Sequence, residues 1–138
     1  KITDEGVENS NVKKLPKGTL LFSFKLTVGK VCMAGKDLYT NEAIAGLIPK
    51  DKQDKNLIKY LYYVLPTLDF SPYAQRATKG FTLNSDSLLD IEIPYPDEKV
   101  REKVVKKCER EERQKNRLFK KIKDIVDKEQ KFIKKYLD

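Results

Sequence analysis

The chain has 138 residues, with 29 Lys and Arg against 21 Asp and Glu, a formal net charge of +8 and no histidine. The lack of histidine removes the usual general base, Ser/His and Cys/His pairs and most zinc constellations. No apolar run approaches the ~18–20 residues that a membrane-spanning helix needs. Cys32 and Cys108 stand in unrelated contexts, so neither a disulfide framework nor a metal site is expected, and a reducing compartment fits.

Residues 1–14 are polar and read as a loop leading into the turn Leu15-Pro16-Lys17-Gly18. The chain opens on Lys1; an excised fragment is expected, and a signal peptide is not. Thr19–Lys25 reads as a strand, Gly29–Ala34 as its hairpin partner and Ala43–Ile48 as a further strand before Pro49. Gly35–Glu42 is a loop rich in hydrogen-bonding side chains, and Lys50–Lys55 is a charged linker. Asp54 or Asn56 starts a helix whose apolar stripe runs through Leu57, Ile58, Leu61, Tyr62, Val64 and Leu65 until Pro66 stops it. Thr67–Gly80 reads as irregular. Asn84 is placed to cap a short helical turn over Ser85–Leu89, and Asp90–Ile93 alternates like an outer strand.

After Pro94 and Pro96 neither Gly nor Pro occurs again, and Asp97 is placed to cap a helix running to Asp138. At about 1.5 Å per residue this helix would be roughly 60 Å long, too long for the preceding chain to cover. Val104, Cys108, Leu118, Ile122, Ile125, Phe132 and Tyr136 recur on it at steps of three and four, with Glu111, Lys115 and Glu129 in the same register. Either the helix is solvated along its charged middle, or it pairs in an antiparallel coiled coil. The paired reading is preferred, because a helix carrying Phe119, Ile122, Ile125, Val126, Phe132 and Ile133 rarely stays bare. The expected fold class is α+β: a strand-rich globular domain over residues 1–96, then one long helix over 97–138.

The helix region holds 16 Lys and Arg against 10 Asp and Glu, and residues 1–96 hold 13 against 11. A polyanionic partner is favoured, with much of the positive field along the helix. Little here suggests catalysis. Gly29-Lys30 lacks the pattern of a phosphate-cradling loop. Ser71-Pro72-Tyr73 is similar to part of an amino-methyltransferase motif, but it lacks the second proline and any glycine-rich cofactor loop. A turn with a packed tyrosine is the ordinary reading there. Tyr60, Tyr62 and Tyr63 read as core and helix surface. Asp86 and Asp90 have no evident third partner, and the chain by itself is expected to be no enzyme.

The order of segments resembles the specificity subunit of type I restriction-modification systems. The resemblance rests on Lys17–Phe24, Gly29-Lys30-Val31, Tyr39–Ile44, Leu57–Leu65, Lys79–Asn84 and Leu88–Pro96 running into a long helix. It covers residues 15–138. After the second proline the chain has Asp97-Glu98-Lys99-Val100 where the family has Glu-Gln, and the opening segment is shortened. The resemblance implies a target recognition domain and a spacer helix, one half of a subunit whose two domains each read half of a bipartite target in double-stranded DNA. It also implies a cytoplasmic, non-catalytic protein that docks methyltransferase subunits and a restriction/translocase subunit. S-adenosylmethionine, Mg and ATP would belong to those partners, and no cofactor is expected on this chain. Pairing is expected with a second recognition half or with a second copy as a homodimer, which would read a palindromic bipartite site.

Sequence is read at base edges by Arg, Lys, Asn, Gln and Thr, while phosphates take Lys, Arg and backbone amides. Three loops offer such side chains: Lys25, Thr27 and Lys30; Lys36, Tyr39, Thr40 and Asn41; and Gln75, Arg76, Thr78 and Lys79. Gln75 and Arg76 are preferred, since Arg76 is the one arginine before residue 101. Lys25 and Lys30 as solvated strand-end lysines, and Thr40 and Asn41 as turn-holding groups, are the plain alternatives. At the level of function the rivals are a coiled-coil adaptor whose head binds protein, an RNA-binding module, and the recognition tail of a fused restriction-methylation polypeptide.

Overall fold

In the computed structural model residues 2–50, 54, 56–77 and 80–137 are described, with the backbone alone for 75–77, 80 and 81. Thr3 opens the chain's first ordered element. Its hydroxyl accepts the Gly6 amide at 3.1 Å, capping the short helix α1, Asp4–Glu8. Thr3 followed by two acidic residues is a helix-start signal, so the expected loop over residues 1–14 holds one helical turn.

The expected strand over Thr19–Lys25 is two strands in two sheets. β1 (Leu20–Ser23) lies between β3 (Val31–Met33) and β4 (Ile44–Leu47), antiparallel to both. At Phe24 the chain leaves this sheet, and β2 (Lys25–Leu26) joins a second antiparallel sheet of order β2–β6–β5. β5 (Gln75–Ala77) and β6 (Gly80–Thr82) form a hairpin in the segment expected to be irregular. With three residues each, these strands are too short for alternation to announce them.

Alternation along β1 divides the core. Leu20 and Phe22 face Leu65, Phe70 and Leu83, while Leu21 faces Leu15 and Ala34, covered by Leu38 and Ile44. α2 (Leu57–Val64) ends where Pro66 enters a 3₁₀ turn, Leu65–Thr67. A proline cannot donate the amide that a continuing helix requires. Ser71–Tyr73 is a second 3₁₀ turn, and the Tyr73 hydroxyl accepts the Glu92 amide at 3.3 Å, so the packed-tyrosine reading holds.

Asn84 caps α3 (Ser85–Leu89) through the Ser87 amide at 2.7 Å. Residues 90–93 are not a strand. Ile91 and Ile93 pack on the core and Glu92 faces outward, but no ladder forms, and side-chain burial holds the segment. The Tyr60 hydroxyl donates to the Pro94 carbonyl at 2.7 Å. Asp97 then accepts the Val100 amide at 2.9 Å and starts α4, Glu98–Leu137. A small antiparallel α+β body followed by one long helix is the expected class. Of the charged linker, Asp51, Lys52, Gln53 and Lys55 lie outside the described residues.

Candidate nucleic-acid interface

The second sheet brings two of the three candidate segments together. Its backbone register sets Lys25, Thr82 and Gln75 side by side, and Leu26, Phe81 and Arg76 in the next row. Gln75 and Arg76 therefore stand on a strand. Thr78 and Lys79 lie outside the described residues.

The turn after β2 is tightly built. The Thr27 amide donates to the Lys25 carbonyl at 2.8 Å across Leu26, whose φ is +66°. This is a γ-turn of the strained sense. The Ser23 hydroxyl donates to the Thr27 carbonyl and accepts the Lys30 amide at 3.1 Å. Gly29, at φ +91°, lies against the Phe70 ring, so close that a Cβ there would sit 2.8 Å from a ring carbon. Thr27 and Lys30 are exposed, while the Lys25 ammonium sits 5.7 Å from the Phe24 ring centroid. Leu26, exposed between these groups, was not among the candidates, and only its backbone conformation distinguishes it.

The third segment does not form one patch. Lys36 follows Ala34, which pairs with Gly18 and Thr19 at the start of β1, whereas Asn41 precedes Ala43, which pairs with Phe24 at its end. Between them Tyr39 and Thr40 are half-buried. The Asn41 side-chain oxygen accepts the Ala43 amide at 3.1 Å, the turn-holding role. The neighbouring Asp37 accepts the Lys17 amide and pairs with Lys14 at 3.1 Å. The Lys17 amide first, then the Lys14 ammonium, hold its carboxyl below the usual range.

How the helix meets this body was not legible beforehand. Arg101 is buried, its guanidinium 2.6 Å from the Asp54 carboxylate and 4.0 Å from the Tyr95 ring centroid, and it also donates to the Pro96 carbonyl. Among the described residues its Nε has no hydrogen-bond partner. Tyr95 donates to the same Asp54 oxygen at 3.1 Å. Burial opposes the Asp54 charge, but the Tyr95 and Arg101 hydrogen bonds and the Arg101 charge outweigh it, and the carboxyl lies below its ordinary value.

Further along α4, Val105 is buried, Glu109 pairs with Lys59 at 2.7 Å, and Glu112 accepts the Tyr63 hydroxyl at 2.8 Å. Burial first, then the Glu112 carboxylate, pushes the Tyr63 hydroxyl up beyond the usual tyrosine range. The proposed seam lies beside this docking stripe, about 60° around the helix. Val104 and Cys108 are half-buried, and Leu118, Ile122, Ile125, Phe132 and Tyr136 are exposed. Between the seam's root and the body lies an open groove of about 1080 Å³, whose apolar walls include Val28, Val31, Leu68, Phe70, Val104 and Cys108. Among the described residues no helix is long and apolar enough to cross a membrane.

A small mixed α+β body on a long, largely exposed helix fits the recognition domain and spacer that the sequence resemblance implies, and comparison with known proteins supports the same family. The model of the family described as the type I restriction modification DNA specificity domain matches residues 1–128. The chain belongs to this family. It is also 33% identical over 106 residues to the specificity subunit of the type I restriction enzyme MjaIX of Methanocaldococcus jannaschii, covering 75% of this chain and 24% of that protein. With the HindI specificity subunit of Haemophilus influenzae the identity is 29% over 99 residues, covering 69% of this chain and 21% of the other. The chain thus spans about a quarter of the length of these relatives.

Proposed function

We propose that this chain reads duplex DNA as half of a type I specificity subunit. Residues 1–96 form the target recognition domain, and α4 is the spacer. The observation that carries the reading is the register of β2, β6 and β5, which sets Lys25 and Gln75 in one row and Leu26 and Arg76 in the next. Gln75 and Arg76 are the base readers, because amide and guanidinium groups match the donor and acceptor patterns of base edges. Lys25, Thr27 and Lys30 hold the backbone. α4 pairs antiparallel with a second helix, and its basic excess, 16 Lys and Arg against 10 Asp and Glu over residues 97–138, adds sequence-independent attraction.

The chain is non-catalytic on this reading. It acts in the cytoplasm with methyltransferase subunits that carry S-adenosylmethionine, and with a restriction/translocase subunit as a further partner. The test is DNA binding with the cognate methyltransferase, followed by fluorescence anisotropy over a salt series. Arg76→Ala is expected to cost about 1–3 kcal/mol on the specific site and to narrow the gap to non-specific DNA, whereas Lys30→Ala weakens all sequences alike and lowers the salt slope by about 1. Affinity independent of salt would point to a protein-binding adaptor instead, and a site preference that survives loss of Gln75 and Arg76 would remove them as the base readers. Ile122→Glu/Ile125→Glu is expected to convert a dimer to a monomer in light scattering.

A further inference from the structure

We propose that the groove between the body and α4 is the seat for the distal half of α4 of a second copy, entering tip first and in one register. This rests on the antiparallel spacer reading above and adds to it a receptor surface and a defined pairing.

The first argument is that the stripe is its own complement. When two copies run antiparallel with Leu118 facing the partner's Ile122, Cys108 faces the partner's Phe132 and Val104 faces the partner's Tyr136. Two-fold symmetry makes each contact twice. Sliding the helices by one heptad leaves a single kind of all-apolar layer, Ile122 with Ile125 in one direction and Cys108 with Ile125 in the other. Charged Glu111, Lys115 and Glu129 then fall against apolar partners. In the proposed register Glu111 meets the partner's Glu129, and Lys115 lies one turn from Glu111, facing the partner's Ile125. A cation is thereby placed within a helical turn of both carboxylates.

The second argument is the width of the apolar face. Beside the seam the distal half adds Phe119, Val126 and Ile133, at 59%, 42% and 47% exposure. The equivalent positions nearer the root are Val105, at 4%, and Glu112, which α2 already covers or bonds. A two-helix seam needs only the narrow stripe. The wider distal face requires a second wall, and the groove supplies one in Val28, Val31, Leu68 and Phe70 opposite Val104 and Cys108. At the tip the Phe132 and Tyr136 rings pack on one another at 4.8 Å, giving a compact aromatic end to fill it.

The register is tested by oxidation. In a Cys32→Ser background, Phe132→Cys places a new thiol opposite Cys108 of the other copy, and oxidation is expected to yield a covalent dimer on non-reducing gels and by intact mass. Ile125→Cys, which meets Cys108 only after a one-heptad slip, is expected to stay uncrosslinked. The Cys32→Ser protein alone stays uncrosslinked as well, because the two Cys108 thiols lie roughly 24 residues, or about 36 Å, apart along the pair. Val104→Cys/Tyr136→Cys, in a background lacking both native thiols, probes the next layer should Phe132→Cys weaken the tip.

Crosslinking at Ile125→Cys, or through Cys108 alone, would overturn the register. A dimer by light scattering with no crosslink at either probed layer would overturn this inference while leaving an antiparallel spacer standing; a monomer would overturn both. The chain has no tryptophan, so Tyr136→Trp reports on the seat directly. Its emission is expected to be blue-shifted relative to the same substitution in the Ile122→Glu/Ile125→Glu variant. Equal emission from the two, in a protein that crosslinks, would remove the groove as the receptor.

Discussion

Replacing Arg101 with Met keeps most of the side chain's apolar length and removes only its charge and donors. The Arg101 and Asp54 side chains are 8% and 10% exposed and 2.6 Å apart. Losing one partner leaves the other charge buried, which costs about 3 kcal/mol at the lower end for buried pairs. The lost contact with the Tyr95 ring adds roughly 1 kcal/mol. A total near 4 kcal/mol corresponds to a fall in Tm of roughly 15 °C for a protein of this size. Asp54→Asn should cost about 3 kcal/mol by stranding the guanidinium. The double variant should cost less than the two together, with a coupling energy of about 2 kcal/mol.

Circular dichroism melts of the four proteins measure the cycle. Because the folded pKa of Asp54 is lowered, the pair's contribution is complete above the ordinary value of 3.8 and is lost as pH falls below it through the folded value. The gap between wild type and Arg101→Met should therefore close in acid. Single costs below about 1 kcal/mol, or strict additivity, would make the pair an ordinary surface bridge and refute its role in holding α4 to the body.

Other positions make separate demands. Gly29→Ala combines a positive φ with a 2.8 Å approach to Phe70, and should lower unfolding free energy by about 2–3 kcal/mol in urea titrations. Leu26→Gly relieves the γ-turn and should raise stability by about 1 kcal/mol in the same assay. Tyr63→Phe loses the Glu112 hydrogen bond, at about 1 kcal/mol. In spectrophotometric titration Tyr63 should stay protonated past the usual tyrosine range while the chain is folded, and its stabilising share is lost only as pH rises further.

Where neighbours in sequence decide the structure, the chain was legible. Asn84 and Asp97 cap the helices they precede, Pro66 ends α2, and β1 pairs with β3 as a hairpin. Misreadings arose where local pattern and tertiary partner diverge. Ile91 and Ile93 alternate with Glu92 because they face a core, and nothing in that alternation says whether a ladder partner exists. Strands β5 and β6 pair locally with each other, but β6 also takes β2, which lies about fifty residues earlier in the chain, as its other neighbour. Arg101 looked like one more basic residue on a basic helix, and its partner Asp54 is 47 positions away. Among the candidate contacts, Gln75 and Arg76 stood out by residue type, but only the sheet register joins them to Lys25.

From Arg113 onward every described residue of α4 is exposed. That part of the helix packs on nothing in its own body, and most helical stability in proteins comes from tertiary packing of an amphipathic face. In a dilute monomer its amides should exchange with solvent through local fraying, decoupled from the protected amides nearer the root. Order in the distal half then becomes a second-order process, set by protein concentration and by the lifetime of the pair. Exchange rates in this one segment would serve as a clock for assembly.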